Sequence, residues 1–144
     1  MIFGTGNVGI GAISPSYLLT VNGTVYATGG AGALSDRRHK DQIQDLPAGA
    51  LGLVEKLRPV SFVWKTPTDP GMRGRQIGLI AQEVETIIPS VVLTQDNAEK
   101  TKAIKYDELI PVLIAALKEQ QAEIKAQQAE IDALRSPAKA GKAQ

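Results

Sequence analysis

Residues 107–134 read DELIPVL IAALKEQ QAEIKAQ QAEIDAL, four heptads in one unbroken register. Ile110, Leu117, Ile124 and Ile131 fall at one core position, and Leu113, Gln120, Gln127 and Leu134 fall at the other, with Glu123 and Glu130 flanking the seam. A helix folded onto its own domain shows a wider apolar face than this, so the narrow stripe predicts a long helix that joins copies of itself. Isoleucine at the first position, with glutamine twice at the second, departs from the leucine-rich dimer pattern and points to a homotrimer. Ser136-Pro137 ends the helix, and residues 136–144 are expected to form a disordered tail.

N-terminal to the coil, residues 35–106 have ordinary globular composition with alternating helix and strand signals. Leu51, Val54 and Leu57 recur at helical spacing and predict a short helix over 47–57 that Pro59 stops. Residues 60–64 and 76–80 read as strands of one hairpin, joined through the turn formers Thr66-Pro67-Thr68-Asp69-Pro70-Gly71. Val84, Ile87 and Ile88 predict a short helix over 82–88, ended by Pro89, and residues 91–93 and 103–106 look like further strands. Residues 1–34 are different: they are rich in glycine and carry no charged side chain. Asn22-Gly23, between Leu19-Thr20-Val21 and Thr24-Val25-Tyr26, reads as a hairpin turn. The fold class is therefore α+β. A small mixed head with antiparallel strands and short helices spans 35–106, a coiled-coil helix spans 107–135, and a glycine-rich β stem spans 1–34.

Composition removes several function classes. At 144 residues, 43% hydrophobic and 4% aromatic, the chain holds one modest folded unit and not two. Sixteen Lys+Arg against fifteen Asp+Glu give a net charge of +1, so no nucleic acid is expected as partner. The longest apolar run, residues 109–117, is interrupted by Pro111 and falls far short of the roughly 20 residues that cross a bilayer, so no membrane partner is expected either. No signal peptide is read at Met1-Ile2-Phe3-Gly4. There is no cysteine, which excludes thiolate metal sites and cysteine nucleophiles.

Gly4-Thr5-Gly6-Asn7-Val8-Gly9 matches the dinucleotide-binding fingerprint in letters but not in context, because no helix follows and no acidic residue precedes Asp36; these are structural glycines. His39 is the sole histidine and sits in a basic run, which reads as a solvated turn. Glu83 and Glu85 lie two apart and do not share a helix face, and Asp36, Asp41 and Asp45 lack calcium-loop spacing. No metal and no cofactor is expected. Ser35-Asp36-Arg37-Arg38-His39-Lys40 pairs a hydroxyl with an amine where the uncharged zone ends. Neither a strand nor a helix puts residues five apart on one face, so Ser35 and Lys40 meet only through a turn or between chains. On spacing alone, a helix or turn cap is the preferred role for this serine and lysine.

Three motifs in order carry a resemblance: Ser35-Asp36-Arg37-Arg38-His39-Lys40-Asp41-Gln42-Ile43; Gly78-Leu79-Ile80-Ala81-Gln82-Glu83-Val84-Glu85 with Pro89; and Lys105-Tyr106-Asp107-Glu108-Leu109 running into the heptads. Together they resemble the C-terminal intramolecular chaperone domain of phage endosialidases and other tail fibres and tailspikes. Gly6-Asn7-Val8-Gly9-Ile10-Gly11, Ser14-Pro15 and Val21-Asn22-Gly23 look like the trimeric fibre stem that precedes such domains. The resemblance implies a homotrimeric, self-cleaving serine endopeptidase that helps an upstream fibre of the same chain fold and then cuts itself away. It places the scissile bond at Leu34-Ser35, with Ser35 as nucleophile and Lys40 as general base. It also implies a virion tail fibre assembled in the bacterial cytoplasm, with the domain released after the cut. A lysine with its ordinary pKa of about 10.4 cannot take the serine proton near neutrality, so water exclusion between chains or nearby Arg37 and Arg38 must lower it toward roughly 7 to 8. The alternative is a trimerisation domain at a fibre tip that never cleaves.

Overall fold

The computed structural model describes residues 6–15, 17–29 and 32–135. Its elements run β1 (Val8–Ile10), β2 (Leu19–Val21), a 3-10 turn at Arg37–His39, α1 (Ala50–Lys56), β3 (Val60–Phe62), a 3-10 turn at Pro70–Met72, β4 (Gln76–Gly78), α2 (Ala81–Glu85), a 3-10 turn at Pro89–Val91, β5 (Val92–Thr94), β6 (Lys102–Ile104) and α3 (Tyr106–Arg135). The strands form three two-stranded sheets: β1 with β2 in parallel, and β3 with β4 and β5 with β6 antiparallel. The mixed α+β head and the long C-terminal helix thus match expectation, although most short elements are trimmed. The predicted tail at 136–144 and the start of the glycine fingerprint at Gly4-Thr5 lie outside the described residues; Val8 and Gly9 of that fingerprint lie on β1.

One expectation is overturned. Residues 19–26 do not form a hairpin around Asn22-Gly23, because β2 pairs with β1 and residues 24–26 are not a strand. The physical reason is that Thr24 spends its donors elsewhere. Its amide donates to Asp69 Oδ2 (2.8 Å) and its hydroxyl to Asp69 Oδ1 (2.7 Å), so it cannot join a ladder. The hydroxyl of Thr24, more than the amides of Thr24, Gly71 and Met72, holds the Asp69 carboxylate below its usual range.

The core is built where α3 crosses α1. Leu109, Val112 and Ala116 of α3 are buried with Ala50, Val84, Ile88 and Val91, and Leu51, Leu53, Val54 and Leu57 pack round them. Burying side chains such as Leu109 and Val112 contributes about 1.5–3 kcal/mol each. Helix α1 starts at Ala50 instead of Pro47 because Gly49, at φ +103°, turns the chain into it from the left-handed region. Gly49 has no side chain with which to cap the helix. The cap comes from α3: Glu119 accepts the amides of Gly49 (2.8 Å), Leu51 (2.8 Å) and Ala50 (3.2 Å). Those bonds, that from Leu51 foremost, hold the Glu119 carboxyl below its ordinary value near 4.5.

A lowered folded pKa means the stabilisation is full above about 4.5 and is lost as pH falls through the lower folded value. Glu119→Ala is therefore expected to lower the melting temperature by roughly 3–8 °C at neutral pH. The difference from wild type should vanish at the acid end of a melting series. A gap that persists unchanged into acid would show that the carboxylate charge is not what caps α1.

The sequence motif at 78–85 owes its glycine to α3. A Cβ on Gly78 would stand 2.8 Å from Tyr106 Oη and 3.3 Å from Phe62 Cε1. Tyr106 cannot simply swing away, since its hydroxyl accepts the Leu79 amide at 2.9 Å. Gly78→Ala should cost about 1–3 kcal/mol by overpacking. Thermal melts should show the cost shrinking when Tyr106→Phe removes the clashing oxygen; an undiminished cost would place the strain elsewhere.

Candidate functional site

The chain leaves the glycine-rich N-terminal segment at Leu34, which is 77% exposed, and enters a tight turn. Asp36 starts that turn. Its carboxylate Oδ1 accepts the Arg38 amide at 2.9 Å, and the His39 and Lys40 amides donate to the carbonyls of Asp36 and Arg37, each at 3.1 Å. One short 3-10 turn therefore separates residue 35 from residue 40. Across it, Lys40 Nζ donates to Ser35 Oγ at 2.7 Å. Of the two routes that spacing allowed, the turn within one chain brings the pair together, and Asp36, not Ser35, is the residue that caps it. Both Ser35 and Lys40 are exposed to water in the single chain, as is His39.

The Asp36 carboxylate is fully engaged with its neighbour. Arg38 Nη2 donates to Oδ2 at 2.6 Å, and Nε lies 3.1 Å from Oδ1 and 3.2 Å from Oδ2. The guanidinium and then the Arg38 amide hold Asp36 below the ordinary carboxylate range.

The other two motifs meet each other through the Leu79–Tyr106 bond. Glu83 takes a bidentate pair from Arg58, and Glu85 accepts from Lys102 Nζ at 2.7 Å, so the two glutamates serve separate ion pairs. Lys105 pairs with Glu108 at 2.5 Å. None of these bonds runs to residues 35–40. An apolar groove of about 590 Å³ lies between the β3–β4 hairpin, β6 and Tyr106, but its one ionisable amine, Lys102, is committed to Glu85 and Thr94. Among the described residues no group of three or more His, Cys, Asp or Glu is arranged to hold a metal ion, and no helix is long and apolar enough to cross a membrane.

Sequence reasoning missed the Glu119 cap, the Thr24–Asp69 tie and the Arg58–Glu83 pair. Only the first left a signal. Leu109, Val112, Ala116 and Glu119 recur at helical spacing on one side of α3, so Glu119 is a charged residue in line with a core stripe.

Residues 35–93 match the family model described as the chaperone of endosialidase, a family classed among the peptidases. The match begins on Ser35 itself. Over 128 residues, 79% of this chain, the sequence is also 29% identical to myelin gene regulatory factor-like A of Dictyostelium discoideum. The chain spans only 14% of that relative's length.

Proposed function

We propose that this chain is an intramolecular chaperone that assembles as a homotrimer, guides the folding of an upstream fibre or spike, and releases itself by cutting Leu34–Ser35. The observation that carries the reading is the 2.7 Å contact between Lys40 Nζ and Ser35 Oγ, directly after an exposed Leu34. The glycine-rich residues before the cut support a fibre stem in a phage virion, folded in the bacterial cytoplasm, as the upstream partner.

The chemistry follows from the spacing. Ser35 Oγ gives its proton to neutral Lys40 Nζ and bonds to the Leu34 carbonyl carbon, closing a five-membered ring through its own amide nitrogen. The Leu34–Ser35 C–N bond then breaks as Lys40 returns the proton to that nitrogen, leaving an ester on Ser35. Water adds its hydroxyl to the ester carbon and its proton to Oγ, which frees the Leu34 carboxyl end and the Ser35 amine end. The step needs an uncharged lysine, and in the single chain the pair is open to water. Neighbouring copies are what would exclude water from the pair, so cleavage follows assembly.

The exposure of Ser35 and Lys40 also suits a second reading, in which the domain trimerises and stays attached. Mass spectrometry of the purified protein separates them. Fragments of 34 and 110 residues support self-cleavage, whereas an intact chain of 144 residues in a formed trimer supports the second reading.

A further inference from the structure

We infer that Asp36 and Arg38 are positioning residues for the Ser35–Lys40 pair: Asp36 shapes the turn that makes the pair meet, and Arg38 keeps the Asp36 carboxylate away from the lysine. The inference rests on the self-cleavage reading and adds two residues to it.

Two needs compete in this turn. The chain must fold back sharply enough for Nζ to reach Oγ, and a carboxylate capping the turn is the local device that does so. Yet a carboxylate beside a lysine favours the charged ammonium, which cannot accept the serine proton. The structure satisfies both. Asp36 keeps the cap, while the Arg38 fork closes on both of its oxygens. The arginine cannot itself deprotonate, so the neutralisation holds at any working pH.

The remaining charged neighbours do not substitute for this arrangement. Arg37 and His39 lie on the turn, and Asp41 accepts the Gln42 amide at 2.8 Å. Among the described residues the other ion pairs join Arg58 to Glu83, Lys100 to Asp96, Lys102 to Glu85 and Lys105 to Glu108, so none from another element reaches Lys40. Removing Arg38 would release the Asp36 carboxylate on the same turn as the amine.

The test is the rate of cleavage of the full chain after dilution from denaturant, followed by mass spectrometry over about pH 5 to 10. Asp36→Ala is expected to slow the cut roughly 10- to 100-fold at every pH, as misplacement of reacting groups does. Asp36→Asn, which keeps an acceptor for the Arg38 amide, should recover much of that loss. Arg38→Gln should move the midpoint of the profile upward by about one pH unit or more. The double variant Asp36→Asn with Arg38→Gln should return the midpoint to that of wild type. A merely structural role would alter rates without moving the midpoint. If wild type cuts before Ser35 while all these variants keep its rate and profile, the inference is wrong and the cleavage reading stands. If wild type itself stays uncut in the assembled state, both are overturned.

Discussion

Ser35→Ala is expected to yield an assembled chain that remains whole, with no 34-residue fragment at any time. Without Oγ there is no atom to attack the Leu34 carbonyl, so the loss is complete within detection. Lys40→Ala should slow the cut by about 10²- to 10⁴-fold, the range a general base supplies. Both side chains are exposed and neither belongs to the buried cluster, so folding and assembly should be unaffected in either variant. Two further substitutions separate chemistry from scaffolding. Lys40→Arg preserves a cation able to donate to Oγ but cannot act as a base, and it should be as inactive as the alanine. Ser35→Cys keeps a nucleophile and should retain a measurable rate. Cleavage by Lys40→Arg at the wild-type rate would remove the lysine from the mechanism.

The second large effect concerns the face of α3 that the head leaves bare. Leu109, Val112 and Ala116 point into the core, but Leu117 is 66% exposed, Ile124 51% and Leu134 70%. The heptad stripe lies roughly a quarter-turn round the helix from the core stripe, so one helix can serve both at once. A chain with such a stripe in water gains by pairing it with further copies. Leu117→Asp with Ile124→Asp is expected to convert the proposed trimer into single 15.3 kDa chains by sedimentation. Helix α1 and the core should survive, and the chains should remain uncut, because Ser35 and Lys40 stay in water. Val112→Asp makes the contrast, since a charge there is buried and should unfold the head itself. Single Leu117→Asp, Ile124→Asp chains that still cut themselves would uncouple scission from assembly.

The head's elements were legible wherever local chemistry and tertiary demand agreed. The β3–β4 hairpin follows from two apolar runs around a dense cluster of turn formers, and both strands end early, β3 before Trp64, whose ring stands perpendicular to that of Phe62, and β4 where Tyr106 takes the Leu79 amide. Pro89, read as the stop of a helix over 82–88, does not end α2, which stops at Glu85; it opens the 3-10 turn that buries Val91. The stem hairpin was misread because Asn22-Gly23 is a strong local turn signal, and nothing nearby announces that Thr24 bonds to a carboxylate 45 residues away.

Periodicity along one helix was enough to assign α3, its register and its unpartnered stripe, since a repeat of seven needs no knowledge of the rest of the chain. The identity of the residues at 35 and 40 likewise named the hydroxyl and the amine. Their contact is a different matter. Five residues of spacing permit many separations, and only the Asp36-capped turn selects the one in which Nζ reaches Oγ. The capping of α1 by Glu119 is likewise a product of folding, because it depends on two segments about 70 residues apart being brought together by a shared core. Short-range order follows from neighbouring side chains and backbone preferences, whereas long-range polar pairing depends on where burial of apolar surface happens to bring the donors.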